Sequence, residues 1–347
     1  MGVTTSTSWE PADADEMVAA LADARSAGQA VEVRGSGSVL DRIPGGDEPV
    51  LSTAALDGIV DHAPEDLTVT VRAGMAFDEL AQELAQHGQE CPIEPIVDDG
   101  ATVGGRLATG LAGPRQLGAG RVRDWVLRVR FITGDGHPAS AGGVTVKDVT
   151  GYDVCRLMTG SWGTLGVITE VTLKLRPIPR QPAWFATETP DPTVAARLYR
   201  PAAVVTTAER THVLLEEHPD DAAAQAADAG LEPAAAPTFP ATARAALDPA
   251  ALPGFLAELQ HANSSPEGAA LQVTAQGQLG LCHLDGSADA LARARSVVER
   301  HGGRLLVLDP ALGLAAFGSG HAPDAMTNRV TAALDPDGRL APWRWER

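Results

Sequence analysis

Three clusters of glycine and other small residues constrain what this chain can fold into more than any other feature. The first is residues 31–38, where valines alternate with charged residues, as on a half-buried strand, before a turn at Gly35 and Gly37. Glycine has no Cβ and can adopt positive φ, so these two residues leave backbone N–H groups facing outward. Such donors suit a pyrophosphate, and three polar side chains adjoin them: Arg34, Ser36 and Ser38. Alone the pattern is weak, because most glycine-serine turns are only turns.

The second and third clusters strengthen the prediction of a ligand site. Residues 101–115 are rich in glycine, without a clear helical or strand period. A mobile surface loop is one interpretation, but the alanine, valine and leucine among the glycines favour a buried loop that a flat ligand approaches. The third cluster spans residues 142–153 and continues over 156–170. Its glycines at 160, 163 and 166 indicate close packing on a ligand before the next strand.

Two other kinds of site are excluded by the motifs. A Rossmann fingerprint would require glycine at position 40, which is Leu40, and a βαβ unit that the pattern lacks. A serine nucleophile of the hydrolase type would require a Gly-x-Ser-x-Gly elbow, which is absent from the sequence.

Composition narrows the class of protein further. The chain has 347 residues, of which 44% are hydrophobic, enough for two packed domains. Its net charge of −18 argues against nucleic acid and anionic membrane as direct partners. The first eight residues are polar, unlike a signal peptide, and no run of about 18 apolar residues is present, so direct membrane insertion is not expected.

Cysteine and histidine usage predicts no metal site. Three cysteines are far apart in the sequence: Cys91, Cys155 and Cys282. They form no Cys-x-x-Cys pair for zinc or an iron–sulfur cluster, and such a sparse, odd set fits a reducing compartment, hence the cytoplasm. Four histidines of the second half are isolated: His212, His218, His283 and His301. Each of these is more often a surface or core histidine than a ligand.

The apolar pattern predicts an α+β chain of two domains. In the first part, we expect a helix after Pro11 that ends at Gly28, a hairpin over 59–71, a helix from Phe77 to Gly88, and strands over 125–131 and 167–175. Prolines 177 and 179 then mark a boundary. Beyond it, short strands alternate with helices over 253–261 and 288–301, and residues 221–246 are interpreted as a helix plus a loosely structured loop. This order suits a small antiparallel sheet backed by helices.

Taken together, the clusters resemble the flavin-binding domain of the vanillyl-alcohol oxidase/p-cresol methylhydroxylase (PCMH) type. Among such flavoproteins, the resemblance is strongest to the FAD-binding subunits of bacterial glycolate oxidases. It covers residues 9–180 almost completely and is carried by six stretches: 33–38, 65–74, 101–105, 120–124, 147–153 and 156–166. The resemblance implies a two-subdomain PCMH-type FAD-binding domain over 9–180, a small α+β cap over 181–330, and a tail over 331–347 that returns to the FAD domain.

The resemblance also implies which residues hold the cofactor. The turn of the first cluster would bind the FAD pyrophosphate, the second cluster would wrap the flavin and diphosphate, and residues from the third would shape the flavin wall and the adenine side. The implied cofactor-binding residues are Arg34, Gly35, Ser36, Gly37, Ser38, Thr102, Gly104, Gly105, Ala108, Gly110, Tyr152, Asp153, Val167 and Ile168. In some relatives a histidine in the first loop tethers FAD. Serine stands there in this chain, so a non-covalent flavin is predicted, and no catalytic residue is assigned.

The implied function is that of an FAD-binding oxidoreductase subunit in a complex that oxidises a 2-hydroxyacid such as glycolate. Its implied partners are a catalytic flavoprotein subunit and an iron–sulfur subunit, and any attachment to the inner membrane would be made through a partner. One alternative is a self-sufficient FAD-dependent 2-hydroxyacid dehydrogenase. Another is a non-catalytic assembly subunit that retains the fold. Departures from the family pattern favour that last alternative: Arg128, Asp148, Thr150, Ala341 and Trp343.

Overall fold

The computed structural model describes residues 8–43, 48–96, 100–143, 153–240, 242–263, 271–318 and 325–340. Within these ranges the chain builds two larger β-sheets, of five and eight strands, with helices packed on each. Two short two-stranded sheets complete the strand pairing. None of the helices in these ranges has the length and hydrophobicity to cross a lipid bilayer.

The N-terminal part begins with a helix and a parallel strand pair. Helix α1 (Ala14–Ser26) begins after Asp13, whose carboxylate accepts a hydrogen bond from the backbone N–H of Glu16. Strand β1 (Glu32–Arg34) then pairs in parallel with β2 (Val50–Ser52). The buried side chains of Met17 and Leu51 share one hydrophobic cluster, so the helix packs against this pair.

A five-stranded antiparallel sheet follows, in the order β3-β4-β8-β6-β7. The strands of this region are β3 (Ile59–Ala63), β4 (Thr68–Arg72), β5 (Gln89–Glu90), β6 (Val126–Ile132), β7 (Pro138–Gly142), β8 (Val167–Lys174) and β9 (Arg176–Pro177). Its helices are α2 (Phe77–Gln86), α3 (Val103–Thr109), α4 (Gln116–Ala119) and α5 (Val154–Met158). Strands β5 and β9 pair separately. The core lies between the sheet and α2 and α3, where Val71, Leu80 and Val171 are fully buried.

The second half is an eight-stranded antiparallel sheet with helices on one face. Its strands are β10 (Ala183–Ala186), β11 (Ala203–Thr206), β12 (Thr211–Leu215), β13 (Glu232–Pro233), β14 (Ala243–Ala246), β15 (Gln272–Gln276), β16 (Leu281–Asp285) and β17 (Arg304–Val307). Its helices are α6 (Pro219–Asp228), α7 (Leu252–Asn263) and α8 (Ala288–Arg300). The strand order is β13-β10-β12-β11-β15-β16-β14-β17. Phe255 and Leu291 of α7 and α8 are fully buried against Cys282 of β16.

This sheet differs from the prediction in two places. It is larger than expected, because β10 was not predicted, and β13 and β14 both lie within residues 221–246, where a helix and a loosely structured loop were predicted. Strand β14 has the sequence Ala-Arg-Ala-Ala, which has little intrinsic preference for a strand. It forms because both of its edges are paired, with β16 and β17, and because Ala243 and Ala245 are buried beneath the helices.

The last described segment returns to the N-terminal part of the chain. Helix α9 (Ala325–Leu334) is followed by Asp335, whose carboxylate accepts from the backbone N–H groups of Arg339 at 2.9 Å and Leu340 at 2.8 Å. The N–H of Val31 donates to the carbonyl of Arg339 at 2.8 Å, which places this segment beside β1. The predicted domain limits at residues 180 and 330 remain predictions.

Candidate cofactor site

A cleft of about 600 Å³, including its open side, lies between the β1–β2 pair and the five-stranded sheet. Its walls come from the turn after β1, from Thr53, from α3, and from the segment that leads into β8. The lining residues are Val33, Gly35, Ser36, Gly37, Ser38, Val39, Leu40, Thr53, Gly104, Gly105, Ala108, Thr109, Trp162, Gly163, Gly166 and Ile168. The three sequence clusters therefore meet at one place.

The turn over residues 35–38 presents backbone donors to the cleft. Gly37 has a φ of +81°, a left-handed conformation that favours glycine, and its carbonyl accepts from the N–H of Asp41 at 2.8 Å. Within the described ranges, the N–H groups of residues 35–38 donate no hydrogen bond to another part of the chain. An anionic group in the cleft would find these donors available.

Helix α3 lies directly against this turn. Thr102 caps the helix, because its Oγ1 accepts from the backbone N–H of Gly105 at 3.1 Å. A Cβ added to Gly35 would lie 2.3 Å from this same Oγ1, and one added to Gly104 would lie 2.8 Å from the Cβ of Ala73. Glycine is therefore required on both sides of the cleft floor, where the turn, the helix and the sheet approach closely.

The third wall contains an aromatic residue that the sequence analysis did not single out. Trp162 adopts a φ of +56°, which is uncommon for a bulky residue, and its backbone N–H donates to the backbone carbonyl of Ala108 at 2.8 Å. Its indole lies edge-on to Phe317, with 5.0 Å between ring centroids. Phe317 follows β17, so Trp162 joins the cleft to the second sheet. An aromatic residue between Gly160 and Gly163 was the signal that could have identified it.

Of the predicted cofactor-binding residues, the structure brings eight into the lining of the cleft. These are Gly35, Ser36, Gly37, Ser38, Gly104, Gly105, Ala108 and Ile168.

Five others lie outside the lining. The Arg34 guanidinium is paired with the Asp41 carboxylate at 2.7 Å and with Glu32 at 3.0 Å. Thr102 and Gly110 cap the two ends of α3, Asp153 caps α5, and Val167 is buried in a hydrophobic cluster beside the cleft. Tyr152 lies outside the described residues.

The departures from the family pattern fall in two groups. Arg128 is not part of the cleft lining; its guanidinium lies 3.5 Å from the carboxylate of Glu170 on the neighbouring strand. The other departures, at residues 148, 150, 341 and 343, lie outside the described residues.

The chemistry of the cleft fits a flavin dinucleotide. Among the lining residues there is no aspartate or glutamate, so nothing in the lining opposes a diphosphate next to the free N–H groups and the serine hydroxyls. Val39, Leu40, Ile168 and Trp162 supply an apolar wall suited to a flat ring system. The lining also holds no histidine, cysteine or tyrosine that could tether a flavin covalently.

Two buried cysteines of the described residues are unreactive thiols. Burial raises the pKa of the Cys91 and Cys282 thiols to about 12, so neither is a thiolate at neutral pH. Within the described ranges, no cluster of three or more histidine, cysteine or acidic side chains has the arrangement of a metal site.

Known proteins resemble this chain in sequence and in fold. Residues 8–154 match the family model described as FAD binding domain. Glycolate oxidase subunit GlcE of Escherichia coli strain K12 is 47% identical over 124 residues, which are 35% of this chain and 35% of GlcE. D-lactate dehydrogenase of Archaeoglobus fulgidus is 34% identical over 170 residues, 48% of this chain and 38% of the relative. Glycolate oxidase subunit GlcD of Bacillus subtilis is 34% identical over 151 residues, 42% of this chain and 32% of that subunit.

These alignments span only about a third of the length of the curated relatives. A solved structure covers more of the chain: alkyldihydroxyacetonephosphate synthase superposes with a TM-score of 0.70 over 96% of this chain and 76% of the synthase, at 13% identity. That likeness shows a shared fold. The α+β architecture predicted from the apolar pattern and the FAD-binding domain implied by the resemblance, here within residues 8–154, are thereby confirmed.

Proposed function

We propose that this chain, whose residues 8–154 form an FAD-binding domain of the PCMH type, is the FAD-binding oxidoreductase subunit of a glycolate-oxidase-like complex that oxidises 2-hydroxyacids. One observation carries the proposal. The glycine turn at 35–38 and helix α3, which form the donor-lined cleft, fall inside the segment matched by the FAD-binding family. The 47% identity to GlcE in the E. coli glycolate oxidase favours a subunit role.

In the proposed function, the cleft is the site that binds FAD. When bound, FAD supplies reversible acceptance of two electrons. The N–H groups of residues 35–38 would hold its diphosphate, and Trp162 and Ile168 would flank a ring and exclude water from it. A non-covalent flavin is part of the proposal, since serines 36 and 38 offer no group of the kind that tethers FAD.

The proposed partners are a catalytic flavoprotein subunit and an iron–sulfur subunit. Two-electron chemistry at a flavin needs an exit for single electrons, and the three cysteines of this chain are buried and separate rather than clustered. The similarity to GlcD, also a glycolate oxidase subunit by name, is consistent with a complex built from related flavoproteins. The cytoplasmic location expected from the unpaired cysteines, with membrane attachment through a partner, belongs to the same proposal.

One alternative has a specific observation in its favour. The D-lactate dehydrogenase of A. fulgidus is 34% identical over 170 residues, which favours a self-sufficient dehydrogenase. The assembly-subunit alternative loses part of its support, because Arg128 pairs with Glu170 rather than entering the cleft.

A flavin-reduction experiment separates the three functions. The purified chain is loaded with FAD, desalted, and mixed anaerobically with glycolate or D-lactate, alone and with a co-expressed GlcD-like flavoprotein and iron–sulfur subunit. The proposed function predicts retained flavin that dithionite reduces and that glycolate reduces only in the complex. Reduction by glycolate without a partner would establish the dehydrogenase, and absence of bound flavin would leave the assembly role.

A further inference from the structure

The five-stranded sheet has one face in the core and one polar face. Residues directly opposite each other on paired strands lie on the same face, and the register places Arg72, Glu170 and Arg130 in one row across β4, β8 and β6. Arg128, two residues before Arg130 on β6, lies on this face as well. The residues that alternate with them along the strands are buried in the core: Val71, Val129 and Val171. Three arginines therefore lie together on the face turned away from the core.

These three arginines, called here the arginine face, exceed the carboxylates that neutralise them. Glu170 is shared, because its Oε1 lies 3.5 Å from the guanidinium of Arg128 and 3.4 Å from that of Arg130. The side chain of Arg130 is still 53% exposed. Arg72 is exposed and forms no ion pair within the described ranges, not even with Asp61 on the edge strand β3. A chain with a net charge of −18 thus carries a local excess of positive charge here.

The arginine face begins next to the cofactor cleft. Ile168, which lines the cleft, precedes Glu170 by two residues on β8, a separation of about 7 Å along a strand. Ala73 follows Arg72, and its carbonyl accepts a hydrogen bond of 2.8 Å from the backbone N–H of Gly104, another lining residue. A protein bound on the arginine face would therefore lie close to a cofactor in the cleft.

We propose that the arginine face is a docking surface for an acidic region of a partner subunit. The inference rests on the proposed function, which requires partners, and it names where one of them binds and by what chemistry. Carboxylates of the partner would pair with the guanidiniums of Arg72 and Arg130, whose N–H groups form planar forks that match a carboxylate. Charge complementarity of this kind directs association and fixes the orientation of the two proteins.

The charge of the whole chain favours this occupant over others. Two molecules that each carry a net charge of −18 repel each other, which disfavours a second copy of this chain. Nucleic acid and an anionic membrane present negative charge over a wide area and would also meet the acidic remainder of the surface. A protein partner needs acidic residues only opposite the arginine face.

Glu170 gives the arginine face a fixed arrangement. Its carboxylate holds the guanidiniums of Arg128 and Arg130 in place before a partner arrives, which lowers the entropy cost of binding. Arg128 is one of the departures from the family pattern. In this proposal it contributes to docking rather than to the cofactor site.

Assembly of the complex measures the docking. The chain is co-expressed and purified with a GlcD-like flavoprotein and an iron–sulfur subunit, and the affinity of the partner subunits for it is measured at low and at high salt. The double variant Arg72→Glu, Arg130→Glu should bind them at least tenfold more weakly than the unmodified chain at low salt. The difference should narrow at high salt, because salt screens exposed charges. The neutral double variant Arg72→Gln, Arg130→Gln should lie between the two, and it replaces the reversed variant if that one fails to fold.

The matched control reverses two exposed arginines elsewhere. The double variant Arg210→Glu, Arg304→Glu changes the net charge by the same amount, at exposed positions of the second sheet, and should bind the partner subunits as the unmodified chain does. All of these variants should retain FAD, because none of the four arginines lines the cleft. FAD content therefore separates a loss of docking from a loss of the cofactor site.

Equal partner affinity in the arginine-face variants and the unmodified chain, or the same loss in the control, would overturn this inference and leave the proposed function intact. Assembly that depends on the arginine face, in a complex whose flavin glycolate does not reduce, would refute the proposed function alone. Failure of the unmodified chain to assemble would refute both.

Two further measurements identify a different occupant. If the arginine-face variants assemble normally but lose a homodimer of this chain, seen by light scattering, the face binds a second copy. If they instead lose binding to phosphatidylglycerol vesicles, it is a membrane contact. Either result would overturn the proposal.

Discussion

Gly35 and Thr102 lie so close that a Cβ on the glycine would be 2.3 Å from the threonine Oγ1. This contact holds the turn after β1 against the N-terminal end of α3 and fixes the width of the cofactor cleft between them. The same Oγ1 accepts from the N–H of Gly105, so the threonine cannot turn away without uncapping the helix. The cleft therefore depends on a glycine at position 35 for steric reasons alone.

Gly35→Ala should reduce FAD affinity at least tenfold and destabilise the fold by about 1–3 kcal/mol, because the new methyl group displaces Thr102 and with it α3. FAD titration and urea unfolding measure the two effects. Gly277→Ala is the matched control, since a Cβ there meets only Leu252 at 4.0 Å. Normal FAD binding by Gly35→Ala would show that the turn and α3 do not form the cofactor site.

Gly37→Asp and Gly37→Asn test whether the turn holds an anion. Both side chains have similar volume, and both tolerate the left-handed backbone better than most residues do. A carboxylate beside a diphosphate repels it, so the aspartate variant should bind FAD at least tenfold more weakly than the asparagine variant at low salt, with a smaller difference at high salt. Equal affinities of the two variants would argue that no phosphate lies at this turn.

Trp162 should report cofactor binding by its fluorescence. A flavin in the cleft lies near the indole of Trp162 and should quench it, so Trp162→Phe should show a smaller loss of tryptophan emission on FAD addition. Trp184→Phe is the control, because Trp184 is on β10 of the second sheet, and its removal should leave most of the quenching in place. The same fractional quenching in both variants would place the flavin elsewhere.

His283 should make the fold sensitive to acid. Burial lowers the pKa of His283 from 6.5 to about 3, while the unfolded chain takes up this proton below pH 6.5. The contribution of the neutral imidazole to stability is therefore present above pH 6.5 and is lost as the pH falls towards 3. Between pH 6.5 and 5 the unmodified chain should lose about 1.5 kcal/mol more than His283→Gln does.

Urea unfolding at several pH values measures this difference. His218→Gln, at an exposed position, should follow the unmodified chain. Identical pH profiles for the unmodified chain and His283→Gln would mean that His283 is not held neutral by burial.

Much of the fold follows from local sequence, and the exceptions have physical causes. Helix α2 and the β3–β4 hairpin were predicted correctly, because apolar spacing and turn residues within each segment determine its structure. Helix α3 was not predicted, because Gly104 and Gly105 have low helix propensity; packing against Ala73 and the cap at Thr102 stabilise it instead. Strand β14 was missed for a similar reason, since only its two paired neighbours favour an extended chain.

The site was predicted in part. Gly35 to Ser38 of the first cluster and Gly104 and Gly105 of the second line the cleft, because a close approach of two backbones requires small residues, and these are recognisable in the sequence. The place of Trp162 in the cleft wall depends on its long-range packing against Phe317, which a local motif does not determine. The pairing of Arg34 with Asp41 was missed because the motif does not show which acceptor the guanidinium takes. The burial of Arg244 was not predicted either, because its strand, β14, was not recognised in the sequence.

The absorption spectrum of the purified chain, recorded after incubation with FAD and removal of free cofactor, tests the central claim most directly. We expect about one equivalent of flavin per chain, released into solution by acid or denaturant, and a marked loss of that flavin in Gly35→Ala but not in Gly277→Ala. A colourless protein after FAD treatment, or flavin that stays attached to the denatured chain, would contradict it.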